Sequence, residues 1–224
     1  MKTAFLLALV LFAAVPALAD APLPSPWKQQ DIGAAPAKPG SAQSADGVFT
    51  VAGSLDLWGT ADGCHFVYQA AHGDVEVIAR VAAIDNPGAV AHAKGSLCIR
   101  ESVNAGARGV TMCVTAADGT QFLYRDKADG KTTHPAPAAD APKSIVPKAT
   151  FPCWLKLVRH GNTFSGYESM DGEKWQLAGQ ITLDLPADTV AGLAATSHKP
   201  DVQTKVTFDH VKISAPPAAA PGKS

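Results

Sequence analysis

Gly95-Ser96-Leu97-Cys98-Ile99-Arg100-Glu101 and Gly109-Val110-Thr111-Met112-Cys113-Val114-Thr115 decide the fold. In each, large apolar residues recur every second position, the repeat of a half-buried strand and not of a helix. Pairing the segments antiparallel with Ile99 opposite Met112 puts Leu97, Ile99, Val110, Met112 and Val114 on one wholly apolar face. A slip of one residue would scatter that face, so it is expected to be the core. In this register Cys98 stands opposite Cys113 on the other face. Directly opposed Cβ atoms lie about 4.5–5.5 Å apart and a disulfide wants about 3.5–4.5 Å, so a Cys98–Cys113 bridge is expected.

The same alternation recurs along the chain. Strands are expected near 48–53, 64–69, 74–84, 95–101, 109–115, 120–125, 153–160, 163–169, 174–182, 190–197 and 204–213. No segment sustains a 3.6-residue period with caps. Many short strands at close spacing make an all-β sandwich or barrel. His160-Gly161-Asn162 and Asp171-Gly172 sit between alternating runs and supply the positive-φ residues of tight hairpins. Residues 126–150 carry four prolines, which cannot donate to a ladder, and are expected to be a long insertion that the fold tolerates. Cys64 shares parity with Phe66 and Tyr68, and Cys153 with Leu155 and Leu157. Both are expected to face inward, as a second bridge or as buried thiols.

The ends set the compartment and the domain limits. Met1-Lys2 precedes an unbroken apolar run over 4–15, then Pro16 and the small-residue site Ala17-Leu18-Ala19, which reads as a signal peptide over 1–19. Export to the periplasm or exterior is expected, and an even cysteine count there suggests disulfides. Residues 20–40 read as a leader into the first strands, 41–214 as the sandwich, and 215–224 as a disordered tail. The formal net charge of −1 gives no electrostatic reason to expect nucleic acid or an anionic membrane as partner.

Three stretches, Gly59-Thr60-Ala61-Asp62-Gly63-Cys64-His65-Phe66-Val67-Tyr68-Gln69, Gly73-Asp74-Val75-Glu76-Val77-Ile78-Ala79-Arg80-Val81 and Ala93-Lys94-Gly95-Ser96-Leu97-Cys98-Ile99-Arg100-Glu101-Ser102, come in that order. Trp154-Leu155-Lys156-Leu157-Val158-Arg159, Ser169-Met170-Asp171-Gly172-Glu173-Lys174-Trp175 and Gly192-Leu193-Ala194-Ala195-Thr196-Ser197-His198 follow. Together, over about 27–213, they resemble the bacterial secreted concanavalin A-like domains of the "regulation of enolase protein 1" type, grouped with laminin G-like jelly rolls. The resemblance implies a jelly roll of two antiparallel sheets, one concave, a fold shared by lectins, carbohydrate-binding modules and glycosidases. It does not settle function. The cysteines and the length of 126–150 depart from the family pattern.

Carbohydrate binding on the concave face, without catalysis, is the leading functional expectation. Such sites combine an exposed aromatic with a few polar groups, and Trp58, His65 and Arg100 are the candidate ligand-binding side chains. For Trp58 the alternative is a place in the core, and for Arg100 a structural salt bridge. Trp154 and Trp175 are expected to pack inside the sandwich. Glycoside hydrolysis needs two flanking carboxyl groups, and the four glutamates, Glu76, Glu101, Glu168 and Glu173, show no such run. Glu76 and Glu101 are expected to pair with Arg80 and Arg100. No cofactor is expected, although Asp62, Asp74, Asp201 and Asp209 at strand ends could hold one structural calcium in place of ordinary turn capping. A cell-envelope interaction domain and a degenerate glycoside hydrolase are the alternative readings.

Overall fold

The computed structural model describes residues 22–88, 90–135, 144–148 and 150–217, so the expected signal peptide and most of the expected tail lie outside the described residues. Thirteen strands and no helix occur among them. They are β1 (Lys28–Ile32), β2 (Ser41–Ala45), β3 (Val48–Gly53), β4 (Cys64–His72), β5 (Val75–Asp85), β6 (Lys94–Arg100) and β7 (Gly109–Thr115), followed by β8 (Gly119–Arg125), β9 (Cys153–His160), β10 (Thr163–Ser169), β11 (Gln176–Thr182), β12 (Asp188–Thr196) and β13 (Thr204–Ser214). A six-stranded sheet in the order β1-β4-β12-β6-β7-β8 stacks on a seven-stranded sheet in the order β11-β10-β9-β5-β13-β3-β2. Every pairing is antiparallel. The alternation alone allows a sandwich or a barrel; the fold is the sandwich, of the two-sheet jelly-roll kind that the family resemblance implies.

The main core lies between the sheets. Val67, Leu97, Ile99, Met112 and Leu193 from one sheet meet Val77, Leu155, Phe164, Val206 and Phe208 from the other, all fully buried. Burying each such side chain is worth about 1.5–3 kcal/mol, which makes this layer the main source of stability. Eleven strands follow the expected segments closely. The other two do not: β1 lies inside the stretch read as leader, and β2 was not anticipated. Both are short polar edge strands, Lys-Gln-Gln-Asp-Ile and Ser-Ala-Gln-Ser-Ala, whose composition hides the alternation.

The β6–β7 register differs by two residues from the expected one. Leu97 faces Met112 and Ile99 faces Val110. A slip of two keeps every side chain on its own face, so the apolar face forms as expected while the cross-strand partners change. Cys98 therefore faces Thr111, its Sγ 3.5 Å from Oγ1, and Cys113 faces Ser96. The connection fixes this register: the Glu101 amide donates to the Arg108 carbonyl, and the Arg100 guanidinium donates to the carbonyls of Ser102 and Asn104. All four cysteines are free thiols, and neither expected bridge exists. Cys153 is in the main core, but Cys64 is not. It lies with Ile32, Leu57, Phe66, Cys98 and Ala194 in a second cluster on the outer face of the six-stranded sheet.

The insertion at 126–150 is held at both described ends. Thr133 forms a bridge with Tyr124, and the Thr132 amide donates to the Gly59 carbonyl. At the far end Val146 enters the main core, and the fully buried Glu168 carboxylate accepts hydrogen bonds from the Ile145 amide (2.7 Å), Ser144 Oγ (2.7 Å), Gln176 Nε2 (3.2 Å) and Thr120 Oγ1.

Candidate functional site

The outer face of the six-stranded sheet is roofed over part of its area. The 54–63 connection lays Leu57 on it and the 101–108 connection lays Val103 and Ala105 on it. Asp62 ties these roofs together. Arg100 Nη1 and Arg125 Nη2 both donate to its carboxylate, the latter at 2.6 Å, and all three side chains are buried. Arg125 also donates to the carbonyls of Thr60 and Ala105 at 3.1 and 3.0 Å and to Thr132 Oγ1 at 2.7 Å. A shared carboxylate satisfies much of the donor capacity of two guanidinium groups, which would otherwise be buried at high cost.

Trp58 stands at the rim of this roof with 45% of its surface exposed. Gly59 follows it with φ of +71°, a conformation that costs a glycine nothing and lets the chain turn back toward Arg125. Two adjoining cavities, of about 410 and about 310 Å³, share Trp58, Asp56 and His198 in their walls. The smaller is completed by His92, Lys94, Gln121 and His134. Lys94 Nζ donates to Asp56 Oδ1, and His198 Nδ1 lies 2.7 Å from Asp56 Oδ2. His134 packs against the indole with ring centroids 5.6 Å apart, and the rings of His92 and His198 are 5.1 Å apart. His92 Nδ1 lies 3.0 Å from Asp118 Oδ2 but out of hydrogen-bond alignment, since that oxygen receives no hydrogen bond. The result is an open groove with a flat aromatic wall and imidazole, amide and ammonium groups around it, the combination that stacks on a sugar ring and satisfies its hydroxyls.

Of the three residues named from sequence, only Trp58 lies in this groove. His65 is buried, with Nδ1 2.8 Å from Asp31 Oδ1 and Nε2 2.9 Å from Gln29 Oε1, and it fastens β1 to β4. Gly40 passes so close that a Cβ there would lie 2.3 Å from His65 Nδ1, so only glycine fits. Arg100 is buried under the roof, the salt-bridge alternative, although its partner is Asp62 rather than Glu101. Glu101 pairs with Arg108, and Arg80 pairs with Asp209 rather than Glu76. Asp62 and Asp209 are thus committed to arginines, and Asp74 accepts the Gly161 amide at 2.7 Å. Asp171 accepts the amides of Glu173 and Lys174, which hold its carboxyl below the usual range. Trp154 and Trp175 are half-buried on the outer face of the seven-stranded sheet, against His210 and Lys156 respectively, and not inside the sandwich. Sequence reading missed His92, His134 and His198, because three histidines at distant positions carry no spacing signal.

The thiols are chemically quiet. Burial pushes Cys98 up to about 11 and Cys113 and Cys153 up to about 12, and it raises Cys64 as well. A thiol protonated at neutral pH is a poor nucleophile. Among the described residues no three metal-ligating side chains, those of this groove included, are placed so that they could hold one metal ion.

No protein-family model matches the chain, and no curated protein matches it. The likeness to the "regulation of enolase protein 1" group therefore gains no support at the level of family. Solved structures do match. A functionally unknown protein from Saccharomyces cerevisiae aligns at 17% identity and a TM-score of 0.56, over 80% of this chain and 93% of that one. A xylan β-1,4-xylosidase from Bacillus halodurans aligns at 17% identity and 0.52, over 75% of this chain and 34% of that one, so the chain corresponds to about a third of that enzyme. An alginate lyase from a Corynebacterium species aligns at 10% identity and 0.52, over 84% and 93%. At these identities the likeness is one of fold, an antiparallel two-sheet β-sandwich.

Proposed function

We propose that the chain is an exported, non-catalytic carbohydrate-binding module whose ligand lies across Trp58. The observation that carries this reading is the exposed indole at the junction of two cavities, on a domain whose other large aromatic side chains are buried or half-buried. Two proteins of the same fold are, by name, a xylosidase and an alginate lyase, which act on polysaccharides. The non-catalytic part rests on the carboxylates of the groove. Asp56 is engaged by Lys94 and His198, Asp62 by two arginines, and among the described residues no glutamate lines either cavity. Export rests on the signal-peptide pattern of 1–19 and would be checked by cell fractionation.

Affinity electrophoresis of the purified chain through gels containing xylan, alginate, pectin or glucan tests the reading. Retardation by at least one polymer, lost in Trp58→Ala at unchanged circular dichroism, is expected. Migration unaffected by every polymer would end the proposal. Release of sugar products from any of them would make the chain an enzyme instead.

A further inference from the structure

The two cavities that meet at Trp58 share a border of three side chains, Trp58, Asp56 and His198. Beyond that border their walls differ. Ala34, Ala61, Lys199 and Pro200 belong only to the larger, of about 410 Å³, and Lys94 and Gln121 only to the smaller, of about 310 Å³. Trp58 leaves 45% of its surface to solvent, and its indole is part of each wall. Asp56 takes Lys94 Nζ on Oδ1 and His198 Nδ1, at 2.7 Å, on Oδ2. A carboxylate has about four acceptor positions, so about two of them stay open to the hydroxyls of a ligand.

The border is also fixed in place by backbone pairs. The Leu55 amide donates to the Lys199 carbonyl at 2.9 Å and the His198 amide to the Leu55 carbonyl at 2.7 Å, which staples the loop of Trp58 to the turn of His198. The Gly63 amide closes that loop on the Asp56 carbonyl at 2.7 Å. A ligand therefore meets walls that need little ordering. Each cavity is near the lower limit of about 300–1,000 Å³ for small-molecule sites, room for about one sugar ring. A lone ring would fill one cavity and leave the other, with its share of the indole, in water.

We infer that the groove binds a saccharide of at least two linked residues, which crosses Trp58 and seats one ring in each cavity. This rests on the carbohydrate reading above and deepens it by fixing the length of the ligand. A monosaccharide loses its full translational and rotational freedom in exchange for the contacts of one cavity. A second ring joined to the first adds the contacts of the other cavity at little further entropic cost. Affinity rises sharply from one ring to two and levels off once both cavities are filled.

The test is calorimetric titration of the full chain with xylose, mannuronate, galacturonate and glucose, each as monomer, dimer and tetramer. In at least one series the dimer is expected to bind about tenfold or more tighter than the monomer, and the tetramer within about threefold of the dimer. Ala61→Phe places a ring in the larger cavity from an exposed position and should bring the dimer down to the affinity of the monomer. Ala34→Phe, at another exposed residue of the same cavity, gives an independent block if the first variant folds poorly, and circular dichroism matching the unmodified chain qualifies each. A monomer as tight as the dimer, a tetramer that gains about tenfold again over the dimer, or a dimer whose affinity survives both substitutions would overturn the inference and leave the carbohydrate reading in place. Failure of every sugar in every series to bind would overturn both.

Discussion

Arg125 Nη2 donates to Asp62 Oδ1 at 2.6 Å, joining the end of β8 to the loop that carries Trp58, with neither side chain open to solvent. Because Arg100 holds the other carboxylate oxygen, Asp62 is the one anion that two buried guanidinium groups share. Asp62→Asn leaves both cations uncompensated, which for buried pairs costs about 3–5 kcal/mol. In a domain of this size that corresponds to a loss of roughly 10 °C or more in Tm, read by calorimetry. The loop over 54–63 should loosen with it, so the variant should also lose ligand retardation.

The free thiols make a chemical prediction. Native protein should react negligibly with iodoacetamide at neutral pH, and four thiols should become reactive in guanidinium, since burial keeps each one protonated. Peptide mapping that finds a Cys98–Cys113 bridge would contradict the β6–β7 register. The converse substitution tests the same register. Thr111→Cys places a thiol directly across from Cys98 and should give a bridge under mild oxidation, detected as a loss of two hydrogens in intact mass.

Glu168 anchors the far end of the 126–150 insertion by accepting from Ser144 Oγ and the Ile145 amide, while Thr120 and Gln176 donate to it from β8 and β11. Hydrogen bonds to a buried charged group are worth about 1.5–3 kcal/mol each where the partners cannot find water. Glu168→Ala should lower Tm by about 5–10 °C, counted for the loss of one or two such bonds. It should also speed proteolytic cleavage within 126–150 while sparing the flanking strands. An unchanged cleavage rate would show that the burial of Val146, and not Glu168, holds the far end of the segment.

Acid should destabilise the fold through identified carboxylates. The Arg80 hydrogen bond holds Asp209 below its ordinary range, and the Gly161 amide does the same for Asp74. A depressed folded value means that the native state binds fewer protons than the unfolded chain. The stabilisation is therefore complete above the unfolded value of about 3.9 and is lost as pH falls through the lower folded values. Urea midpoints should fall steeply below about pH 4, and Asp209→Asn should reduce that slope while lowering stability at neutral pH. A slope identical to that of the unmodified chain would remove Asp209 from this role.

How much of this was legible without coordinates follows from what sets each feature. Alternation at a period of two is a property of neighbouring residues, so eleven strands, the apolar face of Leu97, Ile99, Val110 and Met112, and the turns at Gly161 and Gly172 could be read directly from the chain. Parity cannot tell a register from one displaced by two residues, and so Cys98 was paired with Cys113 when it faces Thr111. Nor can parity tell which side of a sheet a loop will cover, which is why Cys64 and Phe66 pointed inward on paper and lie under the 54–63 roof in the fold. The groove is less legible still. Trp58 could be named because an aromatic beside a glycine between two alternating runs is a local signal, whereas His92, His134 and His198 meet only when three distant connections converge. The sequence by itself determined the layered all-β architecture, since side-chain periodicity dictates which faces must be hidden from water. Tertiary structure alone decided strand register, charge partners and the walls of the groove, because those depend on contacts between residues far apart along the chain.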